Sequence, residues 1–261
     1  MRRLFCAFIS LLLCASALRA CAEEYDKNYR NISRPAAVLI EAPEELNALP
    51  LKGVKIGIDP GHQLYGNREK EADAPGSSTM KDKVSTGTRG VSTGIPEYQT
   101  DLEIALLLRD ALASLGAEVK MTRETNDVDI SNQQRAIMMN EWGADFVIRI
   151  HCNGSTDKSA SGAGMFVRKT GACAEESAAL GKILLDSVCE IAGARKTGVY
   201  QRDTYTGLNW SEVPCVLAEL GFLTNPEEDE KLNDPEYQRL LVIGLATGMS
   251  RYAQEYLQGN V

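Results

Sequence analysis

Histidine is the scarcest chemistry-bearing residue in this chain of 261 residues: it occurs only twice, as His62 and His151. No Cys-x-x-Cys pair is present, which excludes a zinc site built on paired cysteines. The 28 basic residues against 36 acidic ones give a formal charge of -8, and no run of Lys and Arg forms a stripe able to neutralise phosphates. Nucleic acid is therefore excluded as a partner. Internal repeats are lacking, and 44% hydrophobic with 25% charged residues is an ordinary globular balance. Disorder, collagen-like repeats and coiled coil are excluded with them, and the length suffices for a sizeable core.

The longest apolar stretch, Leu4 to Leu18, is too short to span a bilayer comfortably. It follows the basic start Met1-Arg2-Arg3 and precedes the small residues Ala20-Cys21-Ala22, the order of a signal peptide over residues 1–22. Arg19 interrupts the run and speaks against an uncleaved anchor. Leu18-Arg19-Ala20-Cys21 also resembles a bacterial lipobox, so lipid attachment at Cys21 is the alternative, although Arg19 fits that pattern badly. Removing residues 1–22 takes away three arginines and no acid, leaving 25 basic against 36 acidic residues. An acidic, exported protein without a membrane span after processing is expected. Four cysteines remain in it, Cys152, Cys173, Cys189 and Cys215. An exported protein permits disulfides, but these four lie in apparent core elements and read as buried free thiols.

Residues 23–53 lack sustained periodicity and read as an arm or linker. From Val54, apolar strand-like runs alternate with amphipathic ones, the pattern of an α/β single domain with a mixed, largely parallel sheet flanked by helices. Strands are expected at Val54 to Ile58, Ala117 to Met121, Asp145 to Ile150, Gly164 to Arg168 and Pro214 to Leu220. Thr100 with Glu103 and Ser131 with Gln134 fit capping boxes, for helices that stop at Gly116 and Gly143. Asn225-Pro226 and Asp234-Pro235 supply a cap and a first-turn proline for two more. A further helix is expected over Glu175 to Ala192. Gln63 to Pro96, rich in Gly, Ser, Thr and charge, reads as one long loop, and a loop of that length in a compact domain is often functional.

Both histidines close apolar strands: His62 follows Lys55-Ile56-Gly57-Ile58-Asp59-Pro60-Gly61, and His151 follows Phe146-Val147-Ile148-Arg149-Ile150. Carboxyl ends of strands are where open α/β sheets bind ligands, so the two imidazoles are expected to converge on one site. Glu97 precedes the Thr100 helix and would complete a His₂Glu set with a fourth position open to water; spacing alone does not single it out among the many Glu residues. Glu219 lies inside Val216-Leu217-Ala218-Glu219-Leu220-Gly221-Phe222, where a charge is costly unless paired or functional. A structural ion pair with Arg149, Arg135 or Arg123 is the alternative for it.

The ordered motifs Lys55 to His62 (KIGIDPGH), Glu97 to Ala105 (EYQTDLEIA), Val119 to Arg123 (VKMTR), Arg135, Ala144 to Asn153 (ADFVIRIHCN) and Val216 to Asn225 (VLAELGFLTN) resemble the zinc-dependent N-acetylmuramoyl-L-alanine amidases of type 3. The resemblance runs over residues 54–257, expected to be the catalytic domain. It implies one Zn²⁺ per chain held by His62, Glu97 and His151, with Glu219 as the catalytic glutamate, and peptidoglycan or muropeptides as substrate. It assigns no substrate-binding residues. Three departures stand out: the long Gln63 to Pro96 segment, Arg149 where many members have a small residue, and Cys152 where Ala is common.

The chemistry of the residues agrees with that implication. Zinc lowers the pKa of bound water and polarises an amide carbonyl, and a glutamate serves as general acid and base. A cysteine nucleophile is disfavoured, because Cys152 points to the opposite face from His151 and Cys215 lies about 13 Å down its strand from Glu219. A monomer acting in the cell wall or periplasm is expected. Two other readings stay open: a zinc hydrolase cutting within the stem peptide, and a non-catalytic wall-binding or activator protein on the same fold.

Overall fold

The computed structural model describes residues 51–171 and 173–258. The expected signal peptide and the arm up to residue 50 lie outside them. Three runs with almost no exposed residue form the centre of the sheet: β1 (Lys55–Pro60), β5 (Phe146–Asn153) and β8 (Cys215–Phe222). Such doubly covered strands read as continuous apolar segments because both faces are packed. With β4 (Glu118–Met121), β6 (Ala163–Val167) and β7 (Lys196–Gln201) they make one six-stranded sheet in the order β4-β1-β5-β8-β6-β7. The first four strands are mutually parallel, β6 runs antiparallel to β8, and β7 is parallel to β6. The sheet is thus mixed and largely parallel, as expected. β7 was not expected: at the sheet edge its Lys-Thr-Gly-Val-Tyr-Gln run is only partly buried and carries no apolar alternation.

Helices cover both faces. α1 (Glu97–Ser114), α3 (Ala174–Ala192) and α6 (Pro235–Tyr252) pack against Ile56, Ile58, Phe146, Ile148, Ile150 and Val216. On the other face, α2 (Asn132–Trp142) and the short α4 (Thr206–Asn209) bury Met139 and Leu208 against Val147, Cys215 and Leu217. Ser131 and Gln134 form the expected capping box, and Gly143 ends α2 in the left-handed conformation. Asn225 and Asp234 cap α5 (Pro226–Leu232) and α6 through the amides of their first turns.

The Thr100 cap is overturned. Helix α1 begins three residues earlier, at Glu97, and Thr100 lies buried inside it with its hydroxyl donating to Asn233 Oδ1 at 2.9 Å. No side chain caps the helix. A tertiary contact takes that role: the Glu97 amide donates to Thr88 O at 3.0 Å, satisfying one of the donors a helix leaves free at its start.

The segment from Gln63 to Pro96 is not one loop. It contains an antiparallel hairpin of β2 (Asn67–Ala72) and β3 (Met80–Val84). Its residues are mostly charged, so no hydrophobic alternation marks it; the strands instead carry cross-strand pairs such as Lys83–Glu69 at 2.6 Å. Polar contacts pin the hairpin to the domain. Trp210 Nε1 donates to Ala72 O at 2.9 Å, Asn132 Nδ2 to Lys83 O at 2.9 Å, and the Gln133 amide to Glu71 Oε1 at 3.1 Å. Among the described residues the four cysteines are free; Cys152 and Cys215 are buried, Cys173 and Cys189 partly exposed.

Candidate metal centre

β1, β5 and β8 are parallel, so their carboxyl ends lie along one edge of the sheet. His62 leaves that edge just after β1, and its backbone is left-handed at φ 56°. A non-glycine residue there is strained unless its surroundings hold it. Two buried arginines do so. Arg135 donates to Pro60 O at 2.7 Å and His62 O at 2.8 Å, while Arg123 donates to Pro60 O at 3.1 Å, Gly61 O at 2.5 Å and Tyr98 O at 2.8 Å. Arg123 therefore ties the segment bearing His62 to the first turn of α1, which bears Glu97. Gly61 and Gly87 give the side chains room: a Cβ on Gly61 would come within 2.3 Å of His151 Cε1, and one on Gly87 within 2.5 Å of Glu97 Oε2.

The structure brings His62, Glu97 and His151 together. Glu97 Oε1 lies 3.0 Å from His62 Nε2 and 3.3 Å from His151 Nδ1, and the two ring nitrogens are 3.2 Å apart. Glu97 Oε2 accepts from the Thr88 amide at 2.7 Å. His62 Nδ1 lies 3.0 Å from Ser85 O and 3.1 Å from Ser85 Oγ. With the proton on Nδ1, donated to that carbonyl, Nε2 presents a lone pair to the centre. Three electron-rich atoms thus face one another, an arrangement that a cation among them would neutralise. His151 Nε2 is buried without a hydrogen-bond partner.

A fourth residue, a second acid, joins the cluster. Asp101, one turn after Glu97 on α1, has a carboxylate oxygen within 4.8 Å of the other three ligand atoms, and neither of its oxygens is hydrogen-bonded. Sequence reasoning missed it, although the i, i+4 spacing from Glu97 places both carboxylates on one helix face.

Burial and charge tune these groups. Burial, reinforced by Glu97, holds Asp101 well above the ordinary carboxylate range. Burial opposes ionisation of Glu97, yet the adjacent His151 and His62 rings keep it well below that range. Burial pulls His151 down to about 4, so its ring is neutral at physiological pH. Cys152 and Cys215 are both pushed up by burial, Cys215 to about 12, which leaves neither as a thiolate.

Glu219 sits directly across from His151 in the β5–β8 register, on the same face as Arg149 and Leu217. Burial, and then the charge of Glu97, push it up to about 8. Its Oε2 is buried without a partner. None of the arginines considered for it pairs with it: Arg135 and Arg149 lie 2.9 and 3.1 Å from Asp59, and Arg123 serves the carbonyls. Glu219 lines a cavity of about 670 Å³ with His62, Glu97 and His151, walled by the hairpin on one side and by residues 204–207 on another.

This arrangement can be set beside known proteins. The family described as N-acetylmuramoyl-L-alanine amidase, Amidase_3, matches residues 56–251. The chain belongs to this family. Among relatives of the Amidase_3 chain, the N-acetylmuramoyl-L-alanine amidase Rv3717 of Mycobacterium tuberculosis is 28% identical over 78% of this chain and 90% of its own length. The probable cell wall amidase LytH of Staphylococcus epidermidis is 28% identical over 82% of this chain, which spans only 63% of that relative's length. Of solved structures, the apo amidase Ami1 of Mycobacterium abscessus superposes with a TM-score of 0.71 at 26% identity, covering 77% of this chain and 99% of that one. The amidase of Clostridium difficile 630 gives a TM-score of 0.66 at 26% identity, covering 78% and 98%.

Proposed function

We propose that this chain is an exported, zinc-dependent N-acetylmuramoyl-L-alanine amidase. It would cleave the amide between the lactyl group of N-acetylmuramic acid and the L-alanine of the stem peptide. One observation carries the reading: His62 Nε2, His151 Nδ1 and Glu97 Oε1 form a triangle with edges of 3.0, 3.2 and 3.3 Å. Zinc bonds of about 2.0–2.1 Å in a tetrahedron set neighbouring ligands about 3.3 Å apart, so this donor set fits one zinc ion with a fourth position open. Bound there, zinc supplies Lewis-acid polarisation of the amide carbonyl and a lowered pKa for its water.

The remaining work falls to Glu219. A carboxylate beside His151 is in place to accept a proton from the attacking water as its oxygen adds to the lactyl carbonyl carbon. Glu219 then returns that proton to the alanine nitrogen as the carbon–nitrogen bond breaks, leaving a lactyl carboxylate and a peptide with a free amine. A pKa near 8 without metal suits this exchange, because a divalent cation nearby would favour the charged form and lower that pKa toward neutral pH. One chain supplies all four residues, so a monomer would suffice as the active unit. Residues 1–22 would serve export, with cleavage near Ala22 or lipid attachment at Cys21.

The experiment is a digest of purified muropeptides by zinc-loaded protein, read by mass spectrometry. Intact stem peptides with a free L-alanine amine are expected. Fragments cut inside the stem would replace this reading with a peptidase, and no product at all would favour a wall-binding protein.

A further inference from the structure

Arg149 stands two residues before His151 on β5, so both side chains leave the same face of the sheet, about 7 Å apart along the strand. It is 4% exposed, yet it lines the cavity floor with Asn132, Gly207 and Leu217. A buried cation needs a partner, and Arg149 has only a share of one. Its Nη2 lies 3.1 Å from Asp59 Oδ2 and donates to Asn132 Oδ1 at 2.7 Å. Asp59 Oδ1 is already taken by Arg135 Nη1 at 2.9 Å and by Thr122 Oγ1 at 2.5 Å. Two guanidinium groups therefore divide one carboxylate, leaving a surplus positive charge under the cavity.

The other two nitrogens are not bonded. Among the described residues, Nε and Nη1 of Arg149 make no hydrogen bond, and no ion pair joins it to Asp82, Glu97 or Glu219, the other acids of the cavity. The fork is also held in place. Gly207 packs against it so closely that a Cβ there would come 1.3 Å from Nη1. Nε is sealed from the cavity and both two-donor edges of the guanidinium include the occupied Nη2, so the group offers a carboxylate its positive charge and one charge-assisted hydrogen bond from Nη1.

We propose that Arg149 is a specificity-determining residue that reads a carboxylate on the peptide side of the substrate. This rests on the amidase reading above. The sugar side offers hydroxyl and acetamide groups near the lactyl carbonyl and no anion. On the peptide side, the residue after L-alanine is a γ-linked D-glutamate whose α-carboxylate is either free or amidated. A residue spans at most about 3.6 Å, so that group lies within about 7 Å of the scissile nitrogen, the same reach that separates Arg149 from His151. The free acid fits that charge and donor. The carboxamide can still accept from Nη1 through its carbonyl but is neutral, so it loses the charge-assisted part of the bond.

The test compares two synthetic substrates, N-acetylmuramoyl-L-alanyl-D-glutamate and its D-isoglutamine counterpart, with zinc-loaded wild-type protein, Arg149→Gln and Arg149→Lys. Wild type is expected to favour the free acid in kcat/KM by about 10- to 100-fold. In Arg149→Gln the ratio falls to near one, and Arg149→Lys, which keeps the charge without the fixed Nη1 donor, lies between. If Arg149→Gln fails to fold, Arg149→Lys decides: a ratio unchanged from wild type in that variant overturns the assignment. Equal turnover of the two substrates by wild type, or an unchanged ratio in a folded Arg149→Gln, overturns the assignment and leaves the amidase reading standing. No turnover of either substrate by wild type overturns both.

Discussion

His151 and Glu219 are direct partners across the parallel β5–β8 pairing, so one strand pair carries a centre-facing imidazole and an unpaired carboxylate side by side. Their separation is set by the sheet, not by a loop. Residues held by central strands are more precisely placed than residues on flexible connections, and this pair needs no movement to come together.

The first prediction concerns the metal. Zinc should bind at one ion per chain, and the double variant His62→Ala/His151→Ala should bind none, because these are the only histidines in the chain. Elemental analysis after extensive dialysis reads the result. Stoichiometric zinc in the double variant would remove the assigned ligands.

Arg123 should act on the metal without touching it. It bonds the carbonyls of Pro60, Gly61 and Tyr98, beside His62 and Glu97. Supporting contacts of this kind typically change metal affinity by about 10- to 100-fold. Arg123→Gln should weaken zinc binding by that order in a chelator competition while leaving the ligand residues intact. Unchanged affinity would mean that the two segments hold themselves.

Acid should destabilise the metal-free protein through His151. Burial lowers its pKa to about 4 in the folded chain, against an ordinary value of about 6.5. Between those values the unfolded chain takes up a proton that the folded chain refuses, so stability is full above pH 6.5 and is lost as pH falls toward 4. Denaturant titrations across that window should show the decline, and His151→Gln should flatten it. A slope identical in the variant would place the proton uptake elsewhere.

Much of this was legible in the chain because burial leaves a simple signature. Ile56, Ile58, Phe146, Ile148, Val216 and Ala218 are apolar since both sheet faces are covered, and the two histidines stand out because there are no others. Glu219 stands out for a related reason, as a charge inside an apolar run. What stayed hidden depends on tertiary partners. The hairpin is held by cross-strand charges and by Trp210 and Asn132 from distant segments; α1 starts at Glu97 because the Thr88 carbonyl meets its amide; and Asp101 looks like an ordinary polar helix position until the fold buries it.

No helix lies between His151 and β6: β5 ends at Asn153, β6 begins at Ala163, and the intervening residues contain no helical turn. Nothing in that segment is long enough to plug the site. The purified protein should therefore hydrolyse muropeptides without an added activator. Strict dependence on a partner protein in a reconstituted assay would contradict this.

The most direct test of the central claim is Glu219→Gln, measured for zinc content, melting temperature and turnover in one preparation. Amide and carboxylate have nearly the same shape, and the structure gives Glu219 no basic partner, so zinc content should be unchanged and the melting temperature unchanged or higher. Loss of a general base should lower kcat by at least about 10²-fold, with a much smaller change in KM. A variant that melts early yet keeps its turnover would contradict the account, because Glu219 would then serve the sheet and not the reaction.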